Sequence, residues 1–190
     1  MFLENYVKDI SKQGSLEIIT GSMFSGKTEE LIRRLKRAKI AKQNVKIFKP
    51  YFDNRYSSNK VVSHDSNKIK SISVKNSKEI LKHIEKVEVV GIDEAQFFDE
   101  NLYNICNELA NKGLRVIVTG LDMDYEGKPF GVVPMLMASA EYVTKVHAIC
   151  MECGNLAQYS YRKNQNKDLL LLGEKDIYEP LCRKCFQKKH

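Results

Sequence analysis

The chain has 190 residues, 43% of them hydrophobic, and a formal net charge of +7. That length accommodates one domain, or one domain with a small appendage, and the apolar content is enough for a real core. No apolar run approaches the ~20 residues of a membrane span, and Met1 to Gly14 reads as a polar leader without an apolar signal core, so the composition predicts a cytoplasmic protein with no membrane partner and an anionic ligand.

Leu16-Glu17-Ile18-Ile19-Thr20 alternates like a short strand and runs into Gly21-Ser22-Met23-Phe24-Ser25-Gly26-Lys27-Thr28. This stretch fills every fixed position of the G-x-x-x-x-G-K-[ST] phosphate-binding loop. Thr28 onward reads as a helix, with Glu29 and Glu30 in its first turn and Leu31, Leu35 and Ala38 on one face. A strand, a glycine loop and a helix N-terminus bring several backbone N–H groups to one point, which favours a di- or triphosphate. In such a loop Lys27 reaches the β- and γ-phosphates and the Thr28 hydroxyl sits on Mg²⁺. The alternative is a glycine turn that matches by chance, and both flanks argue against it. Arg33, Arg34, Lys36, Arg37, Lys39 and Lys42 carry much of the positive excess and read as a solvated helix face.

Val45-Lys46-Ile47-Phe48 reads as the second strand, ended by Lys49-Pro50. Tyr51 to Lys70 is polar and too long for a tight connection, so it reads as a functional or mobile loop. Ser71 to Val74 forms a candidate third strand, and Asn76-x-x-Glu79 a capping box for a helix through Lys86. Val87-Glu88-Val89-Val90-Gly91-Ile92 then runs into Asp93-Glu94. An apolar run ending in an acid has the pattern of a central parallel strand with a Walker B aspartate at its carboxyl end. Asp93 is the candidate Mg²⁺ holder and Glu94 the candidate base; the competing reading is a pair of exposed turn carboxylates.

Asn101 to Asn111 is predicted helical, with Leu102, Ile105, Cys106 and Leu109 inward and Gly113 closing it. Arg115-Val116-Ile117-Val118-Thr119 is another buried strand, followed at its carboxyl edge by Gly120-Leu121-Asp122-Met123-Asp124-Tyr125. A turn at Gly127-Lys128-Pro129-Phe130-Gly131, a short helix from Met135 to Ala140 and a last strand from Tyr142 to Ile149 complete the series. The order predicts an α/β fold: a mostly parallel sheet of the P-loop NTPase kind, with helices on both faces. The domain limits expected are 15–149 for this unit, after the 1–14 leader, and 150–190 for an appendage.

Cys150-x-x-Cys153 and Cys182-x-x-Cys185 are separated by 28 residues, more than the about 15–20 of an ordinary ribbon. In a cytoplasmic chain two such pairs read as a tetrahedral structural Zn²⁺ site; free thiols or a redox pair are the other readings. Cys106 stands apart as a buried thiol. Between the pairs lie Tyr159, Tyr161, the run Leu169-Leu170-Leu171-Leu172-Gly173 and Tyr178. A pinned loop of this kind either covers a flat aromatic ligand or is a hairpin packed on its own ribbon.

Taken together, the phosphate loop with its internal Met23-Phe24, Asp53-Asn54-Arg55-Tyr56-Ser57-Ser58, His64-Asp65, Asp93-Glu94-Ala95-Gln96-Phe97-Phe98, Leu121-Asp122-Met123-Asp124, Lys128-Pro129-Phe130-Gly131 and the two cysteine pairs resemble the type II, cytosolic thymidine kinase family. The match runs from Leu16 to Cys185. The resemblance implies transfer of phosphate from ATP to the 5′-hydroxyl of thymidine, and of deoxyuridine. It implies that Glu94 is the base, that Lys27 steadies the transferring group, and that Thr28 and Asp93 hold Mg²⁺. It further implies that Asp53, Asn54 and Arg55 belong to the nucleotide site with Gln96 beside the base, and that Leu169 to Gly173 grip thymine through main-chain groups with Tyr125 and Tyr178 on base and sugar. A homotetramer, inhibition by thymidine triphosphate and no nucleic-acid partner follow from the same resemblance. The chain departs from the family at Ser22, where Pro is common, at Tyr125, where Phe is common, and after Gly173, where a small residue is usual. A nucleic-acid-stimulated ATPase is the rival from another class, motivated by the basic helix and the cysteine ribbon.

Overall fold

The structure is a computed structural model and describes residues 13–51, 60–62, 68–164 and 177–189. Its centre is a six-stranded parallel sheet in the order β5-β2-β6-β7-β1-β8. The strands are β1 (Ser15–Thr20), β2 (Val45–Pro50), β5 (Ile72–Val74), β6 (Val89–Ile92), β7 (Arg115–Gly120) and β8 (Tyr142–Lys145). β6 (Val-Val-Gly-Ile) is buried at every position, and β1 and β7 are buried beyond their first residues. Central parallel strands covered on both faces require this pattern.

Side chains that alternate along these strands sort into two layers, because successive residues of a strand point to opposite faces. Ile19, Ile47, Val89 and Ile117 pack against Leu31, Ile32, Leu35 and Ala38 of α1 (Lys27–Ile40). Leu16, Ile18, Val90, Val116 and Val118 pack on the other face against Leu102, Ile105 and Leu109 of α2 (Leu102–Asn111) and Val133 and Leu136 of α3 (Val133–Ser139). Each such fully buried aliphatic side chain contributes about 1.5–3 kcal/mol. The α/β reading from the sequence is therefore what the chain adopts.

Four local expectations differ. The Asn76 cap forms, its side chain accepting from Glu79 N at 3.2 Å, but Glu79 Oε2 reaches back to Lys75 N at 2.8 Å, one residue before the cap, and a 3₁₀ helix over Ser77–His83 follows rather than an α-helix through Lys86. Part of the polar Tyr51 to Lys70 loop is a two-stranded antiparallel hairpin, β3 (Lys60–Val62) with β4 (Lys68–Lys70). The expected last strand breaks after Lys145: β9 (Ala148–Ile149) leaves the sheet and pairs antiparallel with β10 (Leu156–Ala157). Arg34 does not lie on a solvated face. It is 5% exposed and ion-paired to Glu17 of β1 at 2.6 Å and to Glu30 at 2.8 Å, because the turn of α1 aims it at the polar strand residue.

The rest of the chain builds a small ribbon. β11 (Tyr159–Arg162) pairs antiparallel with β12 (Tyr178–Leu181), and α4 (Arg183–Lys189) follows. Tyr159 stacks on Phe186 at 4.3 Å, and Ala157, Leu181 and the cysteines fill in around them. Phe24 of the phosphate loop and Met123 pack on this cluster, so the ribbon rests on the carboxyl edge of the sheet.

Candidate active site and cysteine centre

β1, β6 and β7 all end at one edge, and the loops after them supply the candidate site, as open α/β sheets generally do. Gly21 leaves β1 with φ 143°, and a Cβ there would lie 2.0 Å from the Val146 carbonyl. Glycine is thus obligatory at the loop's entry. The loop then closes on itself. Lys27 Nζ and Ser25 Oγ both donate to the Ser22 carbonyl at 2.7 Å. The first turn of α1 has backbone amides without intrahelical acceptors, the usual anion seat. Burial pushes the Lys27 ammonium below its ordinary range, while the carboxylates of Glu94, Asp93 and Asp122 pull it back.

Asp93 follows β6 and is buried. It accepts from Thr119 Oγ1 of β7 at 2.5 Å and from Glu94 N at 3.0 Å. The Thr28 hydroxyl lies 3.5 Å from both of its carboxylate oxygens, equidistant and loose. Glu94 takes φ 56°, a left-handed conformation that is strained for a non-glycine residue and that concentrates at functional sites. Its side chain is half-buried. Gln96, almost fully buried, donates from Nε2 to Glu94 Oε2 at 2.5 Å and accepts at Oε1 from Leu121 N at 2.9 Å. The Leu121 amide needs an acceptor, which fixes the orientation of the Gln96 amide and leaves its NH₂ for Glu94.

The structure therefore brings Lys27, Thr28, Asp93, Glu94 and Gln96 together. Tyr125 and Tyr178 both contact the Arg162 guanidinium, the first at its face and the second at its N–H edge. Asp53, Asn54, Arg55 and Leu169 to Gly173 lie outside the described residues. Sequence reasoning missed Thr119, whose position at the end of the strand beside Asp93 was its one signal. It also missed Asp122, which pairs with Lys145 at 2.5 Å while its buried Oδ1 has no hydrogen-bond partner among the described residues. Ser160 and Arg162 gave no signal, since their roles depend on distant segments: Ser160 Oγ accepts from Met23 N at 2.9 Å, and Ser22 Oγ donates to the Ala157 carbonyl at 3.2 Å.

The four paired cysteines converge. Their sulfurs all lie within 4.8 Å of one another, and Cys153 Sγ is 3.6 Å from Cys182 Sγ. A tetrahedral Zn²⁺ with bonds of about 2.3 Å spaces its sulfurs about 3.8 Å apart, so the set fits a closed structural site. Asn155, through its backbone and side-chain amides, holds the Cys153 thiol down to about 6, favouring the thiolate that a metal needs. Cys106, fully buried in the main core, has its thiol pushed up by burial, as expected of an inert side chain.

The family model described as thymidine kinase matches residues 14–186. A thymidine kinase of Bacteroides fragilis is 56% identical over 188 residues, 99% of this chain and 94% of the relative. One from Porphyromonas gingivalis is 56% identical over 98% of this chain and 91% of its own length, and one from a Rhodothermus strain 56% over 92% and 82%.

Proposed function

The chain belongs to the thymidine kinase family, and from that premise we propose that it transfers the γ-phosphoryl group of ATP to the 5′-hydroxyl of thymidine, yielding the 5′-monophosphate and ADP. One observation carries the assignment of roles: a carboxylate, Glu94, is held by buried Gln96 beside the phosphate-loop lysine and one residue after Asp93. Phosphoryl transfer depends on positioning and charge neutralisation more than on covalent chemistry, and this constellation supplies both.

In the reading proposed, the loop amides of Gly21 to Thr28 seat the ATP phosphates. Lys27 exchanges the Ser22 carbonyl for the phosphates. Glu94 takes the proton of the attacking hydroxyl, oriented by Gln96. Thr28 and Asp93 are the groups that would hold Mg²⁺, which when bound neutralises charge on the β- and γ-oxygens. Cys150, Cys153, Cys182 and Cys185 would hold Zn²⁺, which staples the ribbon and leaves no open coordination position for chemistry. Asp53, Asn54 and Arg55 complete the nucleotide site, and Leu169, Leu170, Leu171, Leu172 and Gly173 with Tyr125 and Tyr178 form the nucleoside side. A pinned cover there excludes water, the wasteful acceptor. Deoxyuridine as a second acceptor, thymidine triphosphate as feedback inhibitor, a homotetramer and a cytoplasmic location belong to the same proposal, as does a division into units at 15–149 and 150–190.

The deciding experiment is ADP release with ATP and Mg²⁺, comparing thymidine, deoxycytidine and no nucleoside. Turnover with thymidine alone is the expected result. Turnover raised by single-stranded DNA and indifferent to thymidine would overturn the proposal in favour of an ATPase.

A further inference from the structure

We propose that Arg162 is a positioning residue for the nucleoside: a buried guanidinium that holds Tyr125 and Tyr178 as one wall of the site. This rests on the reading above, in which those two tyrosines face the nucleoside.

Arg162 closes β11 opposite Tyr178 on β12. It is 5% exposed, and a buried charge is retained only where good geometry compensates its desolvation. Its Nε–H and Nη2–H both donate to Tyr178 Oη, at 3.1 and 2.8 Å. Its central carbon lies 3.7 Å from the centroid of the Tyr125 ring, in contact with the face. One plane thus stacks on the first tyrosine while its edge grips the hydroxyl of the second. The planar fork of arginine does both; the point charge of lysine does not.

A second observation shows that the Tyr125 turn is fitted to the ribbon. Asp124 Oδ1 accepts from Glu126 N at 2.8 Å and Lys128 N at 3.0 Å, which fixes the turn. Gly127, at φ 77°, lies against Tyr159, where a Cβ would come within 3.0 Å of the ring. The turn after β7 therefore meets the ribbon at two places, the Gly127–Tyr159 contact and the Tyr125–Arg162 stack. Glu94 and Lys27 stand on other elements, so disturbing Arg162 should weaken nucleoside binding and spare the chemical step.

The test is steady-state kinetics and metal content of Arg162→Lys, Tyr178→Phe and the double variant, with wild type alongside. Each single variant should raise the thymidine KM by about tenfold or more. The value of kcat, the ATP KM and the bound zinc should stay within about twofold of wild type. The double variant should be less than additive, since both changes remove the same hydrogen bonds. Tyr178→Phe keeps the ring and removes only the hydroxyl, so it remains informative if the arginine variant folds poorly. An unchanged thymidine KM in Tyr178→Phe, or a parallel fall of kcat, ATP affinity and zinc in these variants, would overturn the proposal. Failure of the kinase reading looks different: wild type itself would show no thymidine-dependent ADP release, and the present inference would fall with it.

Discussion

At the scale of single residues, the decisive feature is how Glu94 is held. Its backbone is left-handed, its carboxylate accepts from Gln96, and Gln96 takes its own orientation from the Leu121 amide. Glu94→Gln keeps the size of the side chain and removes the proposed base. Turnover should fall by roughly 10²–10⁴-fold with ATP and thymidine binding retained; near-normal turnover would assign the base elsewhere. Gln96→Leu tests the support. It removes a hydrogen bond to a charged group, of about 1.5–3 kcal/mol, so kcat should drop roughly 10- to 100-fold while the ATP KM holds. An unchanged kcat would show that Glu94 needs no orienting partner. The motif around Asp93-Glu94 was legible in the sequence, because an acid after an apolar run is a local pattern. The use of Gln96 was not, since its second partner lies 25 residues away on another loop.

At the scale of elements, α1 is tied to the sheet by charge as well as by its apolar stripe. Glu17 of β1 accepts from Arg34 of α1 at 2.6 Å and from Arg115 of β7 at 2.5 Å. Glu17→Ala takes a buried carboxylate from both, although Arg34 keeps Glu30 and the Thr144 hydroxyl. The loss should be about 3 kcal/mol of unfolding free energy in urea titration, the lower end for opening a buried pair. A loss below 0.5 kcal/mol, ordinary for a surface substitution, would show the network to be incidental. The same helix carries an acid-sensitive contact. Hydrogen bonds from Arg33 hold the Glu30 carboxyl down to about 2 against the opposing effect of burial, and Arg34 adds to them. A carboxyl depressed on folding stabilises above its ordinary pKa and loses that contribution as pH falls through the folded value. Between about pH 4.5 and 2 the melting temperature of wild type should therefore fall more steeply than that of Glu30→Gln. Superimposable slopes would remove the pair from the account.

At the scale of the whole molecule, the cysteine ribbon and the phosphate loop are in contact. Met23 N and Ser22 Oγ bond to Ser160 and Ala157, and Phe24 packs on the ribbon's core. Ser22 thus does more than replace the proline common in the family, because its hydroxyl joins the two parts. Metal binding in such sites is folding free energy. If the four cysteines hold zinc as proposed, Cys182→Ser should lower the bound zinc, measured by emission spectroscopy, and with it thymidine binding. ATP affinity should weaken less, since α1 and β1 hold most of the loop. Intact thymidine affinity in metal-free protein would separate the ribbon from the nucleoside site.

The sequence by itself determined the periodic and the local. Short apolar runs specified the parallel strands, G-x-x-x-x-G-K-[ST] the phosphate loop, and Cys-x-x-Cys the two thiol pairs, because each is a regularity within one short segment. Only the tertiary structure decided what depends on partners far along the chain. It broke the run from Tyr142 to Ile149 in two, since Ala148–Ile149 finds its mate in Leu156–Ala157 rather than in the sheet. It took Arg34 out of an apparently solvated row by setting Glu17 beneath it. It brought Arg162 against two tyrosines that lie 53 residues apart in sequence. Burial and pairing of polar side chains are set by what other elements bring to them, and no window of sequence contains that.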